Sequence, residues 1–222
     1  MNPSHARHGC LVGIAGLLLC LAAALPVRIP AATHGAKAEL LFFPSGRLLK
    51  PACLGFDTLV ADLCWVRALQ YYGLHRLTDH RYEGSQHLFA TITDLDPQYQ
   101  SAYLLGAVVL AQDMGDTPAA MQLLARGMRA RPSDSQLPFE AGFVWYVVEG
   151  NPARAEPWFR RAAALSAQPD LARRFAAWCA MRAGQQRDAR ALWELLAEQT
   201  PDPALRRVAR QYVTRLNAAK ER

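Results

Sequence analysis

Arg174, Trp178 and Arg182 are spaced four residues apart, so on one helix they share a face and a flat indole there has a guanidinium group on either side. Such a group offers ring stacking together with charge-assisted hydrogen bonds, which suits an acidic peptide segment or a C-terminal carboxylate. The competing outcome is an indole packed into a neighbouring helix with both arginines solvated. A second constellation is His80, Glu83 and His87, with His75 and Asp79 nearby. On one continuous helix, residues i, i+3 and i+7 would give zinc two imidazoles and a carboxylate. A metal-dependent enzyme or enzyme accessory protein built on these residues is the alternative to a non-catalytic binding protein. The chain has no Gly-rich phosphate loop, no Gly-x-Ser-x-Gly elbow and no haem-attachment cysteine pair before a histidine. Neither catalysis, nor a cofactor, nor a bound metal is the leading expectation.

The elements that must hold these residues follow from an internal period. Ser85, Ala120, Ala155 and Ala189 align; four residues on come Phe89, Leu124, Phe159 and Trp193. Three further on come Ile92, Gly127, Ala162 and Leu196, and five beyond those Pro97, Pro132, Ala167 and Pro201. The steps are 35, 35 and 34 residues, and Gly115, Gly150 and Gly184 keep the same register, each closing one apolar helical stretch before the next. A small residue, a large apolar one at i+4 and a small or apolar one at i+7 mark the buried stripe of a helix.

This arrangement resembles the tetratricopeptide repeat family, whose unit is a pair of antiparallel helices with small, bulky and small positions in the second helix and a closing proline. The resemblance covers residues 66 to about 203. In the first helix of each unit the chain has Leu69 with Tyr72-Gly73, Leu104 with Ala107-Val108, Phe139 with Gly142-Phe143 and Arg173 with Ala176-Ala177, where the family has Trp and then Leu-Gly. The fold implied is all-α: a right-handed α-solenoid of antiparallel helix pairs with repeats at about 66–100, 101–135, 136–169 and 170–203. A capping helix over 204–220 closes it, with Leu205, Val208, Ala209, Tyr212 and Leu216 on one face and Arg206, Arg207, Arg210 and Arg215 mostly on the other. The resemblance implies a concave ligand surface formed by Arg67, Gln70, Gln112, Asp113, Glu140, Val144, Arg174, Trp178 and Arg182. The register puts His80 in a turn and His87 in a following helix, which disfavours the zinc reading. The carboxylate clamp of chaperone-binding members is not recognisable, since Leu74, Val109, Val144 and Trp178 fill its Asn column.

Ahead of the repeats, residues 28–56 read as a tether followed by a short extended and turn segment, with Leu40–Phe43 and Leu48-Leu49 as extended pieces around Pro44-Ser45-Gly46 and a stop at Pro51. A helix then starts near Asp57 or Thr58 as cap and carries Leu59, Leu63, Val66, Leu69 and Leu74 at three- and four-residue spacing. Residues 1–27 hold Arg7 and then an uncharged run over 10–25, the pattern of a signal peptide or a short membrane anchor. Both outcomes place the repeat domain on the outer side of a bacterial inner membrane, in the periplasm, or exported if the signal is cut.

The 222-residue length and 51% hydrophobic content suit one ordinary domain and exclude a disordered chain. Five scattered cysteines exclude a disulfide-rich miniprotein, and Cys53, Cys64 and Cys179 read as three small buried hydrophobes with at most one bridge among them. Residues 1–150 carry 11 basic and 12 acidic side chains, whereas 151–222 carry 14 and 7, so the net +6 resides in the C-terminal third. That field could attract an acidic protein or peptide, anionic lipid or nucleic acid, against the competing reading of solvated helix faces, since the arginines are spread over several helices; export argues against nucleic acid and none is expected. The function expected is a membrane-tethered interaction scaffold that holds a partner during assembly of an envelope or secretion structure.

Overall fold

The computed structural model describes residues 44–220, and among these every regular element is helical. The targeting segment 1–27, the tether and the apolar run Leu40–Phe43 lie outside the described residues. Ten α-helices follow in order: α1 Gly46–Ala52, α2 Asp57–Leu77, α3 Ser85–Leu95, α4 Gln100–Val108, α5 Thr117–Ala130, α6 Gln136–Phe143, α7 Pro152–Leu165, α8 Asp170–Arg182, α9 Gln186–Gln199 and α10 Pro203–Lys220. Each helix packs on the next in sequence from α2 to α7 and from α7 through α10, while α4 also touches α6.

The packing rests on the small and bulky positions set out above. Ala120, Phe89, Leu124, Phe159, Trp193, Ile92, Ala155 and Ala189 have almost no solvent access. Small residues here allow close approach of helices: a Cβ at Gly127 would lie 2.8 Å from the Tyr103 ring, and one at Gly106 would lie 2.9 Å from the ring of Phe89. The buried side chains form two clusters, one from Cys53 to Val144 and one from Ala155 to Ala209.

Gly115, Gly150 and Gly184 all adopt positive φ, +67°, +59° and +75°, the left-handed turn that ends a helix and that a Cβ disfavours. The next residue is the N-cap of the following helix in all three cases, and in two of them its side chain makes the capping bond. Asp116 accepts from the Ala119 amide at 2.9 Å, Asn151 accepts from the Arg154 amide at 3.1 Å, and Pro118 and Pro152 occupy the first helical turn.

The two 35-residue steps and the single 34-residue step have a structural counterpart. α4 continues into a π-helical turn, Val109–Asp113, and α6 into another, Val144–Val148, whereas α8 ends as a regular α-helix with Ala183 N–H on the Cys179 carbonyl. A π-turn accommodates one extra residue within a helix without disturbing its flanks. The extra residue of each longer step therefore sits in the last turn of the helix it lengthens.

Three expectations for the N-terminal part are corrected. Leu48-Leu49 is not extended: residues 46–52 are helical despite Pro51, because Gly46 lies against α3, where a Cβ would come within 2.5 Å of Asp94 Cβ. That contact outweighs the local turn signal, and Pro51, near the helix end, loses only one intrahelical bond. Neither Asp57 nor Thr58 caps α2; Phe56 takes that position without a side-chain bond and Asp57 lies in the first turn, where its charge suits the helix N-terminus. Leu59, Leu63, Val66, Leu69 and Leu74 face solvent, and the buried face of α2 is Ala61, Cys64, Ala68, Tyr71 and His75. Both stripes have helical spacing; the one with the smaller side chains is buried because it lets α3 approach.

Cys53, Cys64 and Cys179 are unbridged and buried. Burial raises the Cys64 thiol to about 11 and the Cys179 thiol to about 12, so both stay neutral and pack as small apolar groups.

Candidate functional site

A cleft of about 300 Å³ opens beside α8, lined by Tyr146 from the second π-turn, Arg174, Phe175 and Trp178 from α8, Trp193 from α9, and Val208 and Tyr212 from α10. α8 is held for this by its inner face. Ala172, Ala176, Ala177 and Ala180 are buried and bring the helix close to its neighbours, which leaves Arg174, Trp178 and Arg182 on the outer side. Its start is tied to the end of α9 by Thr200 Oγ1, which donates to Asp170 Oδ2 at 2.6 Å.

The aromatic groups brace one another. Trp178 Nε1 donates to Tyr146 Oη at 3.0 Å, and its ring meets Tyr212 edge-on at 5.9 Å. Tyr212 in turn stacks on Trp193 at 4.5 Å, and Phe175 packs edge-on to Tyr146. These contacts fix each ring by at least one specific neighbour and leave an apolar, nearly preformed hollow. One arginine lines it and two more contact its lining residues. Arg174 lines it, Arg182 Nη1 donates to Tyr146 Oη at 3.5 Å, and the Arg215 guanidinium lies 5.6 Å from the Tyr212 ring centre. The ion pairs among the described residues use Arg76, Arg126, Arg131, Arg160, Arg190 and His75, so none of the three is neutralised by a carboxylate in this way.

The remaining concave-face candidates are scattered. Arg67 and Gln70 are exposed on the outer side of α2, and Gln112 is exposed in the first π-turn. Asp113 is occupied within the fold: it accepts from Tyr72 Oη at 3.1 Å and from Arg76 Nη1 at 2.8 Å. Val144 is fully buried and corrects its assignment to the surface. It opens the second π-turn, as Val109 opens the first, and both valines pack into the core, whereas Trp178 in the same column of α8, where no π-turn forms, reaches the cleft. The expected indole between two guanidinium groups is not the arrangement found. Trp178 turns to Tyr146 and Tyr212, and guanidinium groups lie instead over other rings, Arg76 over Tyr72, Arg154 over Trp145 and Arg215 over Tyr212.

Phe175, Val208, Tyr212, Trp193 and Tyr146 escaped the sequence reading of the site. Trp193 and Tyr212 were legible as buried positions of a repeat and of a cap, and Phe175 sits at i−3 from Trp178. Tyr146 lies inside the π-turn, where helical spacing no longer assigns a face.

Glu140 lines a separate cleft of about 390 Å³ with Phe139, Leu171 and Ala172, and its Oε1 is buried without a hydrogen-bond partner. Burial raises its carboxyl above the usual range. The fold therefore favours the neutral acid, and ionisation weakens the fold as pH rises from the ordinary carboxylate range through the raised value. Glu140→Gln is expected to stabilise the protein at pH 7 by about 1 kcal/mol, the low end for an unpaired buried group because the side chain keeps some solvent. Thermal melts at pH 7 and pH 4 check the sign: the gain should vanish at the acid end.

His80 sits in the turn between α2 and α3 with positive φ and places Nδ1 3.3 Å from Tyr82 Oη, while His87 belongs to α3. Among the described residues, no three His, Cys, Asp or Glu side chains gather into a group able to hold a metal ion. Likewise, no described helix is long and apolar enough to cross a membrane. Models of known protein families and the set of curated proteins return no match to this chain.

Proposed function

We propose that the protein is a non-catalytic interaction scaffold that takes an acidic, aromatic-bearing peptide segment into the cleft between α8 and α10. The observation that carries this reading is the coincidence of a braced aromatic hollow with three arginines that make no ion pair with a described carboxylate, Arg174, Arg182 and Arg215. An apolar or aromatic side chain would fill the hollow, and carboxylates beside it would meet the arginine rim. The helical pairs are read as four stacked tetratricopeptide-like repeats forming an α-solenoid closed by α10; the recurring positive-φ glycines and the buried small and bulky columns support that organisation. With residues 1–27 as anchor or signal, the scaffold works on the outer side of the membrane during assembly of an envelope or secretion structure.

Fluorescence-polarisation titration of the full chain in detergent tests this. The probes are labelled decapeptides carrying one Trp or Phe flanked by Asp and Glu, with matched sets in which the acids become Lys. Acidic peptides should bind, and Arg174→Glu or Tyr212→Ala should weaken them by about tenfold or more. Equal affinity for acidic and basic sets, or unchanged binding in both variants, would remove the cleft as the site.

A further inference from the structure

The two ends of the helical array are finished differently. At the C-terminal end α10 buries Ala209 and packs Leu205, Tyr212, Val213 and Leu216 inward, and it turns Arg207, Arg210 and Arg215 to solvent. At the N-terminal end no such polar back exists among the described residues. α2 packs its Ala61, Cys64, Ala68, Tyr71 and His75 face on α3 and turns Trp65 toward Phe89 and Tyr99, while α1 lies on α3. Its opposite face exposes Phe56, Leu59, Leu63, Val66, Leu74 and Leu77, each more than half accessible. A contiguous apolar stripe of this length on a single helix is an interaction surface.

Its spacing specifies the partner. Phe56, Leu59, Leu63, Val66, Gln70, Gly73 and Leu77 follow one another by alternating steps of three and four, the seam of a two-stranded coiled coil with a positions 56, 63, 70 and 77 and d positions 59, 66 and 73. A single polar residue at an a position, here Gln70, fixes register between identical strands by pairing with itself. The flanking positions set direction. In a parallel pair each g residue faces the e residue five positions on in the other strand, which puts Asp62 against Arg67 on both sides of the seam. Two antiparallel registers match the seam: one sets Asp62 against Leu69 and Arg67 against Val60, charge against hydrocarbon, and the other sets Arg67 against Arg67 and Asp62 against Arg76, which Asp113 already holds. Both residues are exposed, although Asp62 also holds Tyr99 through a hydrogen bond. A lipid surface fits less well, since α2 carries two Asp and two Arg and has no basic excess to meet anionic headgroups.

We infer that α2 pairs in parallel with α2 of a second copy through the stripe from Phe56 to Leu77. The stripe lies opposite the face of α2 that packs on α3, so the two bodies diverge from the seam. Both chains then enter the pair from the same side, and each dimer presents two aromatic clefts, which raises avidity for a repeated or dimeric partner. The inference uses no part of the cleft and stands or falls separately from it.

The test uses the full chain in detergent with Cys10 and Cys20 changed to serine; the native buried thiols stay. Light scattering corrected for bound detergent should give a dimer, and Leu59→Glu with Leu63→Glu should give a monomer whose helical circular dichroism and melting are retained. Under copper-phenanthroline oxidation Leu59→Cys should form a disulfide-linked dimer, whereas Arg207→Cys on the far end should not. Asp62→Arg and Arg67→Asp should each weaken self-association by about tenfold. Mixed together, those two single variants should pair with each other, and the double variant should self-associate as the parent does. A monomeric parent, a Leu59→Cys chain that does not cross-link, or charge variants that fail to complement would overturn the inference. So would binding of the stripe to phosphatidylglycerol vesicles in place of self-association.

Discussion

Replacing Phe159 by alanine is expected to lower the unfolding free energy by about 3–5 kcal/mol and the melting midpoint by roughly 10 °C. Phe159 has no solvent access, and its ring stacks on Phe175 at 5.0 Å and meets Phe139 edge-on at 5.2 Å. It also fills the space above Gly142, where a Cβ would stand 3.0 Å from the ring. Deleting it leaves a cavity bounded by two aromatic rings and three helices, α6, α7 and α8. None of these can close over the gap without breaking its other contacts, so the loss belongs in the upper part of the range for aromatic truncation. Leu165→Ala, at the end of the same helix and over a third exposed, should change the midpoint by no more than about 2 °C. Melting of both variants by circular dichroism checks this; a Phe159→Ala loss no larger than that of Leu165→Ala would mean that α7 does not form the centre of the second cluster. Because Phe175 lines the cleft and touches Phe159, the same variant should also loosen the binding site without altering any residue in it.

Phe159 was legible from the chain because it occupies a bulky position of a recurrent stripe, and recurrence reports what every unit must bury. The same reasoning found Leu124, Trp193, the small residue at 127 and the three helix-ending glycines. It failed on α2, where recurrence has only one neighbour to satisfy. That helix has apolar residues on both faces, and spacing alone cannot say which is covered; the smaller stripe won because close approach to α3 depends on side-chain size. It failed also at Leu48-Leu49, where contact of Gly46 with α3 outweighs local turn preference. At the site, α8 was legible through Arg174, Trp178 and Arg182, but the cleft draws on four segments separated by up to 66 positions, from Tyr146 to Tyr212. No local pattern connects those segments, and the π-turn that presents Tyr146 breaks the periodicity by which faces are assigned.

That π-turn leads to the second large effect. Deleting Gln112, an exposed residue inside Val109–Asp113, converts a 35-residue step into a 34-residue one, the length that α8 already accommodates without a π-turn. The variant is expected to fold with a loss of about 1–2 kcal/mol, as the last turn of α4 relaxes to regular α-helix and Met114 and Gly115 keep their places. Part of that loss comes from Asp113, whose bonds to Tyr72 and Arg76 must re-form from a shifted backbone. Deleting Gln122, equally exposed but in the middle of α5, has no such outlet. Every residue from Leu123 to Ala130 rotates by about 100° against the first turn, which carries Leu124 away from the core and moves Gly127 from beneath the Tyr103 ring, where a Cβ would already be at 2.8 Å. The loss should exceed about 4 kcal/mol, enough to abolish a cooperative melt in a domain of ordinary stability. Equal damage from the two deletions would show that the π-turn is not where the extra residue resides. Unequal damage in the stated order would tie the 35, 35 and 34 spacing of the chain to one backbone event.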